Sequence, residues 1–538
     1  MKARSALILA ASAAIALAPQ AHGQSRERNS RVSVAPYLEI DQTVFGDLKG
    51  SGETLTYTTL ATGTDTRIQT RRVELQLNYR YEYRFGWGSL EDSDLHSGIA
   101  RGRFILVPNL LNFETGALAT RTRADLRGDA FNPSIGNPQN VTQLYTAYAG
   151  PSIATQAGPF QVNAAYRFGY TKTEVGNRGV LLPGQPRLDV FDSSTSHIAD
   201  ASIGMPSGTL PFGWRASVGY EREDARQLDS LYEGFFARGD VTVPVTPTVA
   251  LVGGVGYEDI EASQRDALRD GAGTPILDAN GRFQTDPASP RRLAYDTDGL
   301  IWDTGVLWRP SRRTSAEFRV GRRYGSMTYV GSASYRPNDA FALQIGLYDG
   351  IQTFGRQVNA ALASLPTQFT LARDPFGNAV SGCVYGVDGV QGGCIDGALQ
   401  SVATGVYRAS GVNAVLSYQR GPWQAGAGVG YARRRFFAPP GSVFSVDGVV
   451  DESVYAQAYL GRALDTQSGV DVSVYANWAS SGIAGASDVL GTGATATYYR
   501  NFGPRLSGRA ALGLYSTRID GVDSSLTGAA QLGARYSF

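Results

Sequence analysis

The sequence predicts an all-β fold: a transmembrane, antiparallel up-and-down β-barrel of about 22 strands, within about 20 to 24, with no separate plug domain. Three observations predict it. Polar and apolar residues alternate over long stretches, short and long connections alternate along the chain, and no run of 18 apolar residues follows the N-terminal segment to supply a transmembrane helix.

The N-terminus reads as a secretory signal over residues 1–23. Lys2 and Arg4 supply the positive start, Ala6 to Ala18 the apolar stretch, and Ala21-His22-Gly23 the small residues at a cleavage site. No Cys follows that cut, which disfavours a lipid anchor. Residues 24–31 are expected as a short periplasmic segment and residues 32–538 as the barrel. Lipid tolerates no unpaired backbone, so an exported chain without an apolar helix is either soluble or a closed barrel. No linker or compositional break divides the chain into soluble domains.

Charged residues make up 18% of the chain, against about 25% in ordinary globular proteins, and glycines number 65. The net charge of +1 gives no electrostatic case for nucleic acid. Apart from Lys2, Lys49 and Lys172, every basic residue is Arg, whose fork suits lipid phosphates and anionic groups in a lumen.

The clearest strand spans residues 72–85. Val73, Leu75, Leu77, Tyr79, Tyr81, Tyr83 and Phe85 share one face; Arg72, Glu74, Gln76, Asn78, Arg80, Glu82 and Arg84 share the other. The pattern returns near residues 160–171, 212–221 and 470–478. The second face is polar or small throughout, which suits a wet lumen and not the dry centre of a sandwich. Of these residues, Arg72, Glu74, Arg80, Glu82 and Arg84 are the lumen-lining candidates. Mixed charges there either set a transverse field that sorts polar solutes or pair along the wall.

Tight turns are expected at Gly63-Thr64, Pro108-Asn109, Gly158-Pro159, Pro211, Thr246-Pro247, Pro310-Ser311, Pro337-Asn338, Gly421-Pro422, Leu464-Asp465 and Gly503-Pro504. Mostly longer connections alternate with them, the largest near residues 260–298 and 353–410. Ten turns and eleven loops join 22 strands and leave both termini on the periplasmic side. Phe160, Trp214 and Trp423 sit beside tight turns, as an inner aromatic belt requires, and Trp302 and Trp478 are assigned to the outer belt. At the C-terminus Ala530, Leu532, Ala534, Tyr536 and Phe538 share a face, and Tyr536 and Phe538 resemble the terminal signal read by the barrel-assembly machinery.

Cys383 and Cys394, the only cysteines, predict a local disulfide in an oxidising compartment, inside a loop long enough either to enter the lumen or to cap the surface. Neither a metal site nor a cofactor is expected. Asp92, Asp94 and His96 form the best candidate for hydrolytic chemistry, although a solvated acidic loop explains them as well. Gly426 to Gly430 imitates a dinucleotide fingerprint, but it lies on an alternating strand and not at a strand–helix turn.

RVELQLNYRYEYR (residues 72–84 with the preceding Arg71), DLHSGIARGRF (94–104), GALATRTRADLRG (116–128), YTAYAGPSI (145–153) and VNAAYRFGYTKTE (162–174) resemble a family of outer-membrane β-barrels of polysaccharide-producing proteobacteria. That family is associated with exopolysaccharide or protein-sorting loci. The resemblance implies polysaccharide-export components as partners, beside outer-membrane lipids and lipopolysaccharide.

The function expected first is a passive channel or export conduit in the cell outer membrane, for exopolysaccharide or small polar solutes. A strand pattern that starts near Val32 leaves no room for an N-terminal plug, which argues against energised uptake. The alternative is a non-conducting structural or receptor barrel that meets an envelope or extracellular partner through its long loops. An outer-membrane hydrolase stands third, and the expectation is that the chain is not an enzyme.

Overall fold

A computed structural model describes residues 31–538 apart from 50–53, 89, 126–140, 176–187, 378–379, 381, 388, 403, 443–445, 484 and 522. The expected signal peptide and all but the last residue of the segment 24–31 fall outside the described residues.

The strands follow the alternation in the sequence. The first seven are β1 Arg31–Lys49, β2 Thr54–Gln69, β3 Val73–Trp87, β4 Ser93–Val107, β5 Leu111–Arg123, β6 Val141–Ala157 and β7 Phe160–Val175. Then come β8 Ser193–Met205, β9 Gly213–Ala225, β10 Ser230–Pro244, β11 Val249–Gln264, β12 Arg292–Ser311, β13 Thr314–Arg323, β14 Ser326–Asn338 and β15 Phe341–Thr353. A helix and three short strands intervene: α1 Phe354–Ser364, β16 Phe369–Leu371, β17 Cys383–Gly386 and β18 Gly393–Cys394. The series resumes with β19 Val406–Arg420, β20 Trp423–Phe437, β21 Val450–Ala463, β22 Ser468–Ser481, β23 Val489–Asn501, β24 Leu506–Ile519 and β25 Ser525–Ser537.

Except for β16–β18, these strands form one 22-stranded antiparallel sheet in which each pairs with its neighbours in sequence. β1 pairs with β25, from Tyr37 opposite Ser537 to Gly46 opposite Gly528, so the sheet closes on itself and has no free edge. β16–β18 form a separate three-stranded sheet.

The outward face is apolar. Leu38, Ile40, Leu60, Phe168, Val218, Leu251, Leu300, Trp308, Phe318, Leu512 and Leu532 all stand exposed on it. A continuous apolar girdle around a closed barrel is stable only in lipid. The chain is therefore an outer-membrane protein, with tight turns gathered at one end of the barrel and the longer loops at the other.

Seven of the ten expected turns fall between strands, and Pro310-Ser311 and Pro337-Asn338 are the last residues of β12 and β14, just before the turns into β13 and β15. Between their strands Gly158 and Gly421 take φ of 60° and 58°, a left-handed conformation that costs glycine nothing. Gly63-Thr64 is a correction: Gly63 lies within β2, opposite Tyr37 of β1. The turn comes at 70–72 instead, where the Thr70 hydroxyl accepts from the N–H of Val73 at 2.9 Å. A side-chain cap makes that turn without the Gly or Pro that marks the others. Arg72 therefore sits in the turn, exposed, and does not line the lumen. Two loops are shorter than expected, because β4 begins at Ser93 and because β11 and β12 extend to Gln264 and back to Arg292. Trp302 consequently lies midway along β12, although it is level with Arg322 near the outer end of β13.

The inward face is not polar throughout, which is the second correction. Leu95 and Ile99 of β4, Leu118 of β5, and Leu144 and Tyr148 of β6 point inward and are almost fully buried. What packs against Ile99, Leu118, Leu144 and Tyr148 is the segment between β15 and β19.

Candidate functional site

Residues 354–405 fold into the barrel and fill the space in front of most of its wall. Entry begins with α1, whose N-cap Thr353 is extended (φ −118°, ψ 161°). Apolar residues at positions 354, 358, 362 and 365 follow the helical period and share a face. Phe354 and Val358 pack with Leu144 and Phe191, while Leu362 and Leu365 pack with Ile99, Leu118 and Tyr148. Pro366 holds Leu365 extended, at ψ 149°, and ends the helix.

Wall side chains hold both helix ends. At the N-terminus the carboxylate of Glu223 accepts from the N–H of Arg356 at 3.0 Å and from the Thr353 hydroxyl, so a negative charge meets the positive end of the helix dipole. At the C-terminus Arg101 donates from Nε to the Leu365 carbonyl at 3.0 Å and from Nη2 to the Ala363 carbonyl at 2.9 Å. Midway, Asn359 donates to Thr171 at 3.0 Å.

The extended stretch after α1 is read by the wall as a strand would read it. Gln76 donates to the Phe369 carbonyl at 2.8 Å and accepts its N–H at 2.9 Å. Phe376 enters an aromatic pocket of Phe45, Tyr57 and Tyr515, and Tyr515 donates to Asp374 at 2.8 Å. Burial raises the carboxyl of Asp374 above its ordinary range.

Cys383 and Cys394 are disulfide-bonded and close the β17–β18 hairpin. This hairpin rests on β20, where a Cβ at Gly426 would strike the Tyr385 ring and one at Gly428 would strike the Cys383 sulfur. The glycine run makes a cradle for the plug. Arg434, 1% exposed, secures the far end by donating to the carbonyls of Ser401 at 3.2 Å, Gly397 at 3.1 Å and Ala398 at 2.9 Å, and to Gln357 at 3.0 Å.

The other lumen candidates lie on the inward face of β3. Glu74 accepts from Thr367 of the plug at 2.9 Å. Arg80 is ion-paired to Glu39 at 2.7 Å, Asp41 at 3.1 Å and Glu82 at 2.9 Å, and Glu82 also pairs with Arg84 at 2.6 Å. Arg509 of β24 completes the network with Glu39 at 2.7 Å and Asp41 at 2.8 Å. Arg84 reaches the Phe376 carbonyl of the plug at 3.3 Å. At the closing strand the rings of Tyr536 and Phe538 meet edge-on with centroids 5.3 Å apart, and the Phe538 N–H donates to the Pro36 carbonyl at 3.0 Å.

Arg101, Arg434, Glu223 and Gln76, which do most to seat the plug, were not among the expected site residues. One signal was present: leucine and isoleucine at inward positions of β4–β6 contradict a wet wall and mark where something packs. Asp92, Asp94 and His96 do not assemble a catalytic group. Asp92 accepts from the Gly86 N–H at 3.0 Å, and His96 bonds Tyr79 at 2.7 Å. Among the described residues no group of three or more His, Cys, Asp or Glu is placed to hold a metal ion.

The fold and site thus define a class, an outer-membrane barrel whose lumen is occupied by one of its own loops. No family model and no curated protein matches the chain. Solved structures do. The closed form of the ferric-catecholate import receptor Fiu from E. coli K12 is 11% identical, with 93% of this chain and 82% of that chain covered at a TM-score of 0.45. The FrpB iron transporter of Neisseria meningitidis (F5-1 variant) is 10% identical, with 93% and 82% covered and a TM-score of 0.41. The alcaligin outer-membrane receptor FauA of Bordetella pertussis is 11% identical, with 93% and 76% covered and a TM-score of 0.39.

Two expectations are corrected here. The structures named above are a ferric-catecholate import receptor, an iron transporter and an alcaligin receptor, none of them an exopolysaccharide-associated barrel, so the expected kinship is withdrawn, and the polysaccharide-export partners it implied go with it. A passive channel or export conduit is likewise overturned, because the plug fills the space such a conduit needs.

Proposed function

We propose that the chain is a receptor-type barrel, closed at rest, that meets an extracellular partner through its outer loops and is not an enzyme. The carrying observation is the plug itself: residues 354–402 bond to inward side chains of β3, β4, β5, β7, β9, β20, β24 and β25. In this reading the inserted loop takes the part that a separate plug domain would play.

The outer loops supply the contact surface. Residues 265–291 fold back as a mat held by the pairs Ala267–Thr285, Arg269–Pro275 and Leu277–Phe283. Arg282 anchors it to the wall by donating to the Thr173 carbonyl at 2.9 Å. The reading includes residues 1–23 as a cleaved export signal, residues 24–31 as a periplasmic segment, Tyr536 and Phe538 as the assembly signal, and lipopolysaccharide around the outer rim.

Planar-bilayer recording of the purified chain tests it. The intact protein is expected to be electrically silent, and replacement of residues 354–405 by a short Gly-Ser link is expected to open a large, steady conductance. Steady conductance from the intact protein would overturn the reading.

A further inference from the structure

A space beside the plug stays unfilled. It is a cavity of about 140 Å³ between the plug and the wall of β5, β21 and β22. Its wall side comes from the outer ends of those strands, with Ser453 and Tyr455 on β21 and Asn477 on β22, and its plug side includes Tyr385, Asp396 and Gln400.

The lining specifies a kind of ligand. Arg121, Arg123, Asp374 and Asp396 all border the cavity, so its formal charges cancel and neither a cation nor an anion is favoured. Gln400 is 8% exposed, yet neither end of its amide has a partner among the described residues, and the hydroxyl of Ser453 lacks one as well. Buried polar groups are normally satisfied, so donors and acceptors are both wanted here. Asp396 accepts from the Gly382 N–H at 2.6 Å and keeps further lone pairs. Tyr385 and Tyr455 add aromatic faces.

Water could satisfy the polar atoms but would leave those rings wetted. A hydroxylated carbon chain answers both needs, since each hydroxyl donates and accepts while C–H edges lie on the rings. We propose that this cavity binds a small uncharged polyol that enters from the outer mouth. The proposal rests on the receptor reading for that route and names the class of ligand such a receptor would take.

The test uses the full chain in detergent micelles, with Ala479→Cys, which borders the cavity without supplying a polar group, as reporter, since the two native cysteines are bonded to each other. A small methanethiosulfonate reagent labels the introduced thiol. Sorbitol is the probe and glycine betaine at equal osmolality the control. Sorbitol is expected to slow labelling saturably, about fivefold at about four times its Kd. Gln400→Leu and Asp396→Ala, each introduced beside the reporter, are expected to remove the protection while heat-modifiable gel migration shows the barrel intact. Labelling indifferent to sorbitol, equal protection by betaine, or a thiol that never reacts would overturn the site. Conductance is read separately. A leaky barrel that sorbitol still protects sinks the receptor reading alone, and a silent barrel without protection sinks this site alone.

Discussion

Arg101 of the wall donates to the carbonyl of Leu365, the residue that caps the plug helix, at 3.0 Å. A cation at the end of a helix, with its fork spent on two otherwise unpaired carbonyls, both ends the helix and fixes its position in the barrel. Arg101→Ala removes two charge-assisted bonds from a buried site, which costs about 2 to 4 kcal/mol locally. The expected outcome is a barrel that still assembles but flickers open in bilayers and is cleaved by protease within residues 354–405. An Arg101→Ala protein as silent and as resistant as the parent would show that the apolar contacts suffice.

Gly428 stands under the disulfide, and any side chain there collides with Cys383. Gly428→Val is expected to lift the hairpin off β20 and make the disulfide open to a water-soluble reductant, while strand content by circular dichroism is unchanged. Cys383→Ser with Cys394→Ser tests the same element differently. Opening so short a loop removes about 3 kcal/mol of constraint, read as faster hydrogen exchange at residues 382–396.

Asp396 gives the plug a pH dependence. Burial raises its carboxyl to about 6, well above the ordinary carboxylate range. A raised acid binds its proton more tightly when folded, so stability is fullest below the unfolded pKa of about 4 and falls as pH rises toward about 6. The plug is therefore expected to be seated more firmly at about pH 5 than at about pH 7, by an amount of order 1 kcal/mol. Hydrogen exchange at residues 382–396 across that range reads it, and Asp396→Asn should flatten the profile. A profile of unchanged slope in the variant would assign the effect elsewhere.

Arg80 holds three carboxylates, Glu39, Asp41 and Glu82, in a buried cluster. Arg80→Met leaves three carboxylates with only Arg84 and Arg509 to balance them and is expected to cost about 3 to 5 kcal/mol, seen as a lower heat-modifiability temperature. Adding Glu39→Gln and Glu82→Gln should recover much of that loss. Failure of this rescue would mean that Arg80 acts through packing and not through charge.

The barrel was legible because its determinants are local. Alternation over residues 73–85 sets the two faces of β3, and Gly158-Pro159 or Gly421-Pro422 closes a hairpin between residues already adjacent in sequence. Where a turn used another device, the Thr70 hydroxyl at 70–72, sequence reading placed it wrongly. That the long loop enters the lumen, and which residues seat it, was not decided there for the opposite reason. Gln76 meets Phe369 across 293 positions and Arg101 meets Leu365 across 264, and no window of sequence contains both members of either pair.

By itself the sequence determined that this chain is a closed cylinder of paired strands with its greasy face in lipid, because strand period and turn chemistry act between neighbours. Tertiary structure alone decided that the cylinder is filled. Whether a long loop caps a barrel or enters it depends on the fit between its apolar face and inward residues such as Ile99, Leu118 and Leu144, and on buried carbonyls finding Arg101 and Arg434. That complementarity exists only once the wall has closed.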